Sequence, residues 1–484
     1  MSLNSIIHFI INLSIKKDWK DFKSPVKGLK DAQLEVLSSI LKSLPKFHHC
    51  CGAKEYSDLN ALPETDYTNW ISFIDKNSST SSIAGIVKRY QPTSGSTDLI
   101  KWIPYNESII ISFNKAINPW LYDIYRSFPG TKKGTHYWSL SWLPSKYREN
   151  INLDDSEFLS PFKKFFYQKI LAVPKSCSEA ETLDQSLIQT AAHLVLAEDL
   201  SLISIWSPTF LISLMDTMIE RKEEVHRYMD SIGKKRLIKY NKKEELHLLW
   251  PMLSLISCWD TSTSTVYAER LKVLFPQTNF QGKGLWTTEA VITIPFEGRY
   301  LLSYRTHFYE FKKENKTIIP SWELKVGEIV TALVTTQNGF IRYKINDSLL
   351  VEGFIGEIPI LKFLGRKKES DLVGEKISND MVSSLFENRD QFNALIGIIS
   401  PLKNKIPYYI HLTDGDNIEI ESELLKAFHF KLARELGQLG ETLYFRSSKA
   451  QHLYQKICRQ KGMVEGNIKL EYLIQNEDDA FIYE

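Results

Sequence analysis

The stretch from Thr93 to Lys101 has residue types that suit a nucleotide phosphate. Its glycine and hydroxyl residues are consecutive: Thr93, Ser94, Gly95, Ser96 and Thr97. Glycine lets the backbone approach an anion closely, and hydroxyl and N–H groups can donate hydrogen bonds to phosphate oxygens. Lys101 adds a positive charge after the loop. The spacing differs from that of a Walker loop, so the alternative is a polar surface turn.

A second stretch, residues 281–289, could hold a metal ion beside the phosphates. Gly282 and Gly284 precede Trp286, two threonines and Glu289. The Glu289 carboxylate suits Mg²⁺, a cation that prefers oxygen ligands and usually bridges to substrate phosphates. The alternative is a glycine-rich bend between strands with an exposed glutamate.

A third stretch, residues 342–347, ends with an acidic residue that could bind a ribose. Asp347 follows a strand-like run, and a carboxylate at a strand end can accept hydrogen bonds from both ribose hydroxyls. The simpler alternative is that Asn346 and Asp347 form an ordinary hairpin turn between two strands.

The cluster of His48, His49, Cys50 and Cys51 does not predict a metal site. Consecutive side chains diverge, and no second ligand pair follows at a suitable distance.

The 5 cysteines lack C-x-x-C spacing, which indicates a reducing, intracellular location. Charge follows the N-terminal apolar stretch rather than preceding it, and no apolar run approaches the roughly 20 residues of a membrane span. We therefore expect a cytoplasmic protein.

The composition excludes several classes of protein. Of the 484 residues, 43% are hydrophobic and 24% are charged, which is typical of a globular chain. The 60 Lys+Arg and 58 Asp+Glu leave a net charge of +2, so the total charge predicts no nucleic-acid partner. Aromatic residues make up 12% and include 11 Trp, which indicates a large core or a pocket lined with rings.

Predicted strands and helices alternate along the chain, and these elements must position the three stretches. The alternation predicts a mixed α/β fold with a mainly parallel sheet. Leucines at helical spacing predict an early helix that Pro45 ends. The middle of the chain has predicted strands at 83–90, 202–206 and 253–259, and predicted helices at 183–197, 209–226 and 266–275. From Thr278 the chain is rich in strands, and a strand at 406–412 and a helix at 421–436 follow. A boundary near Gly365 predicts a large domain, residues 1–364, and a small one, residues 365–484.

The order of the three nucleotide-like stretches resembles that of the adenylate-forming superfamily. Further details are similar to one branch, the Gretchen Hagen-3 (auxin-responsive promoter) acyl acid–amido synthetases, and to its shorter bacterial members in particular. The similarity covers most of the chain from about Tyr67 onward. The stretches that carry it are residues 250–253 (Trp-Pro-Met-Leu), 256–259 (Ile-Ser-Cys-Trp), 274–276 (Leu-Phe-Pro), 281–285 (Gln-Gly-Lys-Gly-Leu), 308–311 (Phe-Tyr-Glu-Phe), 339–343 (Gly-Phe-Ile-Arg-Tyr), 363–366 (Phe-Leu-Gly-Arg) and 370–376 (Ser-Asp-Leu-Val-Gly-Glu-Lys).

This resemblance implies a two-step reaction with ATP and Mg²⁺ as cofactors. A carboxylic acid attacks the α-phosphate of ATP and gives an acyl-adenylate and pyrophosphate. An amine, typically an amino acid, then attacks the activated carbonyl and releases AMP. The Mg²⁺ ion, lysines and backbone N–H groups would offset charge on the phosphates. The small domain would reorient between the two half-reactions, with Gly365 and Arg366 opening the hinge.

The resemblance also implies roles for particular residues. The nucleotide-binding candidates are Thr93, Ser94, Gly95, Ser96, Thr97, Leu285, Trp286, Thr287, Thr288, Tyr343, Asp347 and Arg366. Among them, Thr288 would meet the α-phosphate and Asp347 would hold the ribose. The catalytic candidates are Lys101, Glu289 and Lys469. Glu289 would also bind the metal, and Lys469 would reach the α-phosphate from the small domain.

The acyl substrate is the least defined part of this expectation. Its pocket candidates are Tyr137, Trp138, Trp206 and Trp286. Rings at these positions would favour an apolar or aromatic acid, and the alternative is that most of them belong to the core.

Three residues depart from the pattern of the family. Asp98 lies near the phosphate candidates, Asn346 precedes Asp347, and Trp286 occupies a position usually held by a smaller residue. Two alternatives to an amide synthetase stay open: acyl transfer to the thiol of coenzyme A or a carrier protein, and a non-catalytic binder of acyl ligands. The expected partners are a small carboxylic acid and an amine, without nucleic acid or membrane, and the chain is expected to be a monomer.

Overall fold

The fold is seen in a computed structural model that describes most of the chain. The described residues are 3–24, 28–46, 48, 50, 52–92, 101–139, 168–261, 264–366, 369–370, 372–373, 375, 377–387, 389–402, 406–435, 438–461, 463, 465–466 and 468–483.

Helices occur along the whole described chain. In order they are α1 (Leu3–Lys23), α2 (Gly28–Ser43), α3 (Tyr56–Asn60), α4 (Tyr67–Trp70), α5 (Glu107–Ser127), α6 (Leu183–Leu196), α7 (Pro208–Glu220), α8 (Lys222–His226), α9 (Ser231–Leu237), α10 (Thr265–Leu274), α11 (Asn379–Phe386), α12 (Glu421–Leu424), α13 (Phe428–Glu435) and α14 (Ala450–Gln460). The long helix α5 begins after Asn106, whose side chain accepts a hydrogen bond from the Ile109 amide and so caps the helix.

The strands form three main sheets and three short two-stranded pairs. In order they are β1 (Thr80–Ser81), β2 (Gly85–Ile86), β3 (Arg89–Pro92), β4 (Trp102–Tyr105), β5 (Thr135–Trp138), β6 (Leu200–Ser204), β7 (Leu255–Ser257), β8 (Asn279–Gln281), β9 (Thr293–Phe296), β10 (Arg299–Leu302), β11 (Phe308–Lys313), β12 (Ile318–Pro320), β13 (Ile329–Thr335), β14 (Tyr343–Ile355), β15 (Ile358–Arg366), β16 (Glu369–Ser370), β17 (Ile377–Ser378), β18 (Asn393–Ile398), β19 (Tyr408–Thr413), β20 (Leu443–Arg446) and β21 (Leu473–Asn476).

The first main sheet is parallel, in the order β5-β6-β7-β8, which confirms the predicted α/β arrangement. Its register aligns the last residues of the four strands, Trp138, Ser204, Ser257 and Gln281, in one row. Strand β6 is buried along its whole length, as expected for a strand covered on both faces. The loops that follow the four strands therefore converge at one edge, where α/β proteins commonly bind ligands.

The second main sheet is antiparallel, in the order β12-β11-β13-β14-β15-β10-β9. The turn predicted at Asn346 and Asp347 is wrong, because both residues lie inside the continuous strand β14. Asp347 pairs with Arg366 and Ser348 with Gly365, with an irregularity in the register after Ser348. Hydrogen bonding to neighbours on both sides outweighs the local turn tendency of Asn-Asp.

Two predicted helices are each divided in the structure. The predicted helix 209–226 is α7 followed by α8, with a break at Arg221 (φ −120°, ψ 33°). The helix begins at Pro208 rather than Thr209, because proline is tolerated at the first helical position, where a missing N–H costs nothing. The predicted helix 421–436 is α12 followed by α13, and the predicted strand 83–90 is replaced by β2 and β3.

The third main sheet, β20-β19-β18-β21, packs against the helices that flank the parallel sheet. One hydrophobic core contains Leu271 and Phe275 from the parallel-sheet region together with Ile396 and Tyr408 from β18 and β19. A separate core joins α1, α2 and α5 to the antiparallel sheet.

Within the described residues, no helix combines the length and the apolar character needed to cross a bilayer.

Candidate active site

The segment after β8 forms a tight turn that presents Thr288 and Glu289. Gly284 adopts a positive φ of 72°, and a Cβ there would lie 2.6 Å from the Thr293 carbonyl oxygen, so only glycine fits without a shift. The Leu285 amide donates to the Thr293 hydroxyl at 2.8 Å. Trp286 forms an isolated bridge with Val291, which closes the turn.

Two tyrosines hold this turn from neighbouring elements. The Tyr105 hydroxyl donates to the Thr288 carbonyl at 2.6 Å, and the Tyr343 hydroxyl donates to Glu289 Oε1 at 3.2 Å. Burial, and then the Glu289 charge, raise the pKa of Tyr343 above its ordinary value, so this hydroxyl keeps its proton. Glu289 itself is only 9% exposed. The arrangement orients a carboxylate at the edge of a buried region.

The strand that carries Tyr343 also carries the ribose candidate. Asp347 is four residues further along β14 and is 1% exposed. Its partner across the ladder is Arg366, the last residue of β15. Two nucleotide-binding candidates that are 19 positions apart in sequence are therefore adjacent in space.

Lys101 borders the same region. Its Nζ lies 5.8 Å from the centre of the Tyr67 ring. Tyr67 accepts a hydrogen bond from the Trp102 amide at 2.9 Å. Burial, and to a smaller extent the charge of Glu289, raise the pKa of Tyr67 above its ordinary value. The loop Thr93–Thr97 and Asp98 lie outside the described residues.

Three of the four acyl-pocket candidates meet in a cluster of tryptophans. The ring centres of Trp206 and Trp286 are 6.0 Å apart. The ring centre of Trp120 lies 5.9 Å from that of Trp286 and 5.7 Å from that of Trp138, so Trp120 links these two rings. Tyr137 does not join them. It packs into the core between the parallel sheet and its outer helices, because successive side chains of a strand point to opposite faces.

Lys469 reaches the edge of this cluster from the C-terminal part of the chain. Its Nζ lies 4.7 Å from the Trp259 ring centre, and Trp259 lies 5.9 Å from Trp206. The Tyr454 hydroxyl donates to the Lys469 carbonyl at 3.2 Å and accepts from the Glu471 amide at 2.8 Å, which fixes the local backbone.

Sequence reasoning missed two members of the cluster, Lys283 and Trp120. Lys283 is only 3% exposed, and its Nζ lies 4.8 Å from the Trp120 ring, 5.5 Å from Trp138 and 5.1 Å from Trp206. Trp120 is anchored by its indole N–H, which donates to Gln281 Oε1 at 2.9 Å. The available signal was the lysine between Gly282 and Gly284, a charged residue inside a glycine-rich bend.

The histidine–cysteine cluster is structural where it is described. His48 is buried, and its ring contacts the Gly339 carbonyl at 2.9 Å and the Cys50 amide at 3.0 Å. His49 and Cys51 lie outside the described residues. Over the described part of the chain, no group of three or more His, Cys, Asp or Glu residues could enclose a metal ion.

Comparison with known proteins connects this geometry to a family. Residues 300–366 match the sequence model of the GH3 family central domain. A solved structure described as the AtGH3.15 acyl acid amido synthetase in complex with 2,4-DB has a TM-score of 0.74 and 15% identity, with 96% of this chain and 94% of that chain covered. A second structure, of the GH3.15 acyl acid amido synthetase, has a TM-score of 0.72 and 15% identity, with 94% and 93% covered. The chain therefore resembles the GH3 family over residues 300–366 in sequence and over most of its length in fold.

The segment that matches the family model contains three nucleotide candidates. They are Tyr343, Asp347 and Arg366, all on the adjacent strands β14 and β15. At 15% identity the two solved structures show a shared fold. No curated protein sequence matches the chain significantly. The predicted fold class is thus confirmed, and the match of residues 300–366 to the family model agrees with the predicted family.

Proposed function

We propose that this protein is an ATP-dependent acyl acid–amido synthetase of the GH3 family. In the first step, a carboxylate oxygen attacks the α-phosphorus of ATP, and pyrophosphate leaves. In the second step, an amine nitrogen, with an amino acid as the proposed donor, attacks the carbonyl carbon of the acyl-adenylate. AMP leaves, the nitrogen loses a proton, and an amide forms. The two similar structures are both described as acyl acid amido synthetases, which supports this activity.

One observation carries the proposal, the hydrogen bond from Tyr343 to Glu289. It connects the turn with Thr288 and Glu289 to the strand with Asp347 and, through the ladder, to Arg366. A carboxylate for a metal, a carboxylate for a ribose and a guanidinium-bearing residue therefore belong to one connected unit. That combination suits a nucleotide whose phosphates and sugar are held at the same time.

The residues fit Mg²⁺ better than a metal that needs an all-protein cage. Glu289 offers carboxylate oxygens, and the described residues contain no group of three metal-binding side chains. Mg²⁺ commonly takes one or two carboxylates and completes its shell with water and substrate phosphates. When bound, the ion would neutralise phosphate charge. The chain would contribute Glu289 as ligand, Asp347 for the ribose, and Lys101 with Thr93–Thr97 toward the phosphates.

Lys469 is proposed to supply positive charge at the α-phosphate. Its ammonium stands on Trp259, at the edge of the tryptophan cluster that includes Trp206 and Trp286. We assign residues 365–484 to a mobile C-terminal domain that brings and withdraws this lysine. Gly365, with a positive φ of 134°, stands at the proposed hinge, where glycine permits backbone changes that other residues resist.

The test is ATP–pyrophosphate exchange with Mg²⁺ over a panel of carboxylic acids. Acid-dependent exchange is expected, and Glu289→Gln should reduce it strongly. Glu269→Gln, a change on the exposed side of α10, is the matched control. Absence of exchange with every acid would contradict the proposal. Product analysis with amino acids in parallel with coenzyme A then identifies the acceptor. The proposal includes a cytoplasmic monomer, which gel filtration and cell fractionation test.

A further inference from the structure

Lys283 lies at the edge of the parallel sheet where the carboxyl ends of its strands meet. It follows β8 by two residues, just as Trp206 follows β6 and Trp259 follows β7. The adjacent strand β5 ends with Trp138. One cation and three indoles thus lie at the ends of these four strands, at the edge where open α/β sheets bind ligands.

A hydroxyl and three indoles lie beside the ammonium of Lys283. The ammonium donates to the Ser204 hydroxyl, and the ring centres of Trp120, Trp138 and Trp206 lie 4.8–5.5 Å away. Contact with indole faces stabilises a cation. An anion that reaches this edge of the sheet would therefore meet a positive charge held among rings.

A second polar group points to the same place. Ser257 is the register partner of Ser204 on the neighbouring parallel strand, so the two side chains share one face of the sheet. Its Oγ is fully buried and has no hydrogen-bond partner among the described residues. A buried hydroxyl without a partner is costly and is uncommon in folded proteins. A ligand oxygen beside Lys283 would give this hydroxyl an acceptor.

Lys283 and Glu289 are held by different groups. Glu289 is bound by Tyr343, whereas Lys283 is enclosed by Trp120, Trp138 and Trp206. Trp286, in the Glu289 turn, contacts Trp120 and Trp206 and so connects that turn to the rings around Lys283. An acid whose reacting carboxylate lies near Glu289 would place its other end among the rings next to Lys283.

We propose that Lys283, with Ser204 and Ser257, binds a second anionic group of the acyl acid, so that the preferred substrates are flat acids with a carboxylate at each end. This inference rests on the proposed function, because it takes the reacting carboxylate to be at the Glu289 end. The indoles stack on the flat body of the substrate, and Lys283 selects its distal charge. Lys283 is thus a specificity-determining residue rather than part of the phosphate chemistry.

The experiment compares acids that differ only at the distal end. The first pair is 4-methylbenzoate and benzene-1,4-dicarboxylate, and a longer pair is 4-methylcinnamate and 4-carboxycinnamate. In pyrophosphate exchange, the wild-type kcat/KM should favour the dicarboxylate, and Lys283→Met should lower that preference by about tenfold to hundredfold, the usual cost of losing a charge-assisted hydrogen bond. Ser204→Ala should lower it less, and Lys272→Met on the exposed face of α10 should leave it unchanged.

The ratio of the two kcat/KM values separates specificity from damage to the fold. A folding defect in Lys283→Met would lower both values together, whereas the proposed role changes their ratio and leaves the methyl acid as good a substrate or a better one. An unchanged ratio in Lys283→Met, or a wild type that does not prefer the dicarboxylate of any pair, would overturn the inference while leaving the proposed function intact.

Direct binding distinguishes failure of the inference from failure of the proposed function. Titration of benzene-1,4-dicarboxylate without ATP should change tryptophan fluorescence in the wild type, with a weaker response in Lys283→Met. If no acid supports exchange but this Lys283-dependent binding is present, the anion site stands and the synthetase proposal fails. If neither exchange nor Lys283-dependent binding is seen, both are overturned.

Discussion

Asp347 and Arg366 face each other across the antiparallel pair of β14 and β15. The pair stands at the end of the segment that matches the GH3 central domain, residues 300–366. Arg366 also ends β15, next to Gly365 and its positive φ of 134°. The proposed ribose contact and the proposed hinge therefore share one short stretch of ladder, which would connect nucleotide binding to the proposed domain movement.

Replacement of Asp347 should weaken ATP binding. In Asp347→Ala the carboxylate that would accept both ribose hydroxyls is lost, and charged hydrogen bonds of this kind contribute about 1.5–3 kcal/mol. We expect the Kd for ATP, measured by calorimetry, to rise about tenfold to hundredfold. Asp390→Ala, on an exposed loop, is the control. Nucleotide affinity that is unchanged in Asp347→Ala, with the fold intact, would refute the ribose assignment.

Removal of the Tyr343 hydroxyl should affect the dependence on Mg²⁺. Tyr343→Phe keeps the ring in β14 but deletes the hydrogen bond of 3.2 Å to Glu289. Loss of a single orienting bond costs about 1 kcal/mol, so the Mg²⁺ concentration for half-maximal exchange should rise by about fivefold. Because the pKa of Tyr343 is raised, wild-type exchange should show no titration of this hydroxyl below pH 9. Tyr105→Phe, which alters the same turn at the Thr288 carbonyl, provides a comparison that leaves Glu289 bonded.

Replacement of Lys469 should slow adenylation with little change in ATP affinity. A cation that acts on charge developing at the α-phosphate stabilises the transition state more than it stabilises bound ATP. The kcat for exchange should therefore fall by about a hundredfold or more in Lys469→Ala. The Kd for ATP should change by less than about threefold. Lys449→Ala tests an exposed lysine of the same C-terminal region. Equal losses in kcat and in ATP affinity would favour a binding role instead.

Particular residues show how far the sequence could define the site. The family resemblance predicted Glu289, Asp347 and Arg366 as site residues, and the structure brings their elements together. Lys283 was missed because its burial depends on rings from separate elements, namely Trp120 in α5, Trp138 at the end of β5 and Trp206 after β6. Residue types and spacing do not encode this relationship. The Asn346 turn was predicted wrongly because local propensity was outweighed by pairing on both sides of β14.

Buried neutral histidines should make the fold sensitive to mild acid. Burial lowers the pKa of His307 to about 3 and of His411 to about 4, and it lowers the pKa of His136 well below its ordinary value of 6.5. A folded pKa below the unfolded one means that stability is complete above pH 6.5 and falls as the pH drops below it, because only the unfolded chain takes up the protons. Each ring should cost about 2 kcal/mol of unfolding free energy between pH 7 and pH 5.

His307 offers a clean test, because both of its ring nitrogens are buried without a hydrogen-bond partner among the described residues. In His307→Leu, the difference in unfolding free energy between pH 7 and pH 5, from urea titrations, should shrink by about 2 kcal/mol. Phe113→Leu, which alters the ring that contacts His307 edge-on, should lower stability equally at both pH values. A pH difference in His307→Leu that equals the wild-type value would show that this histidine is protonated in the fold.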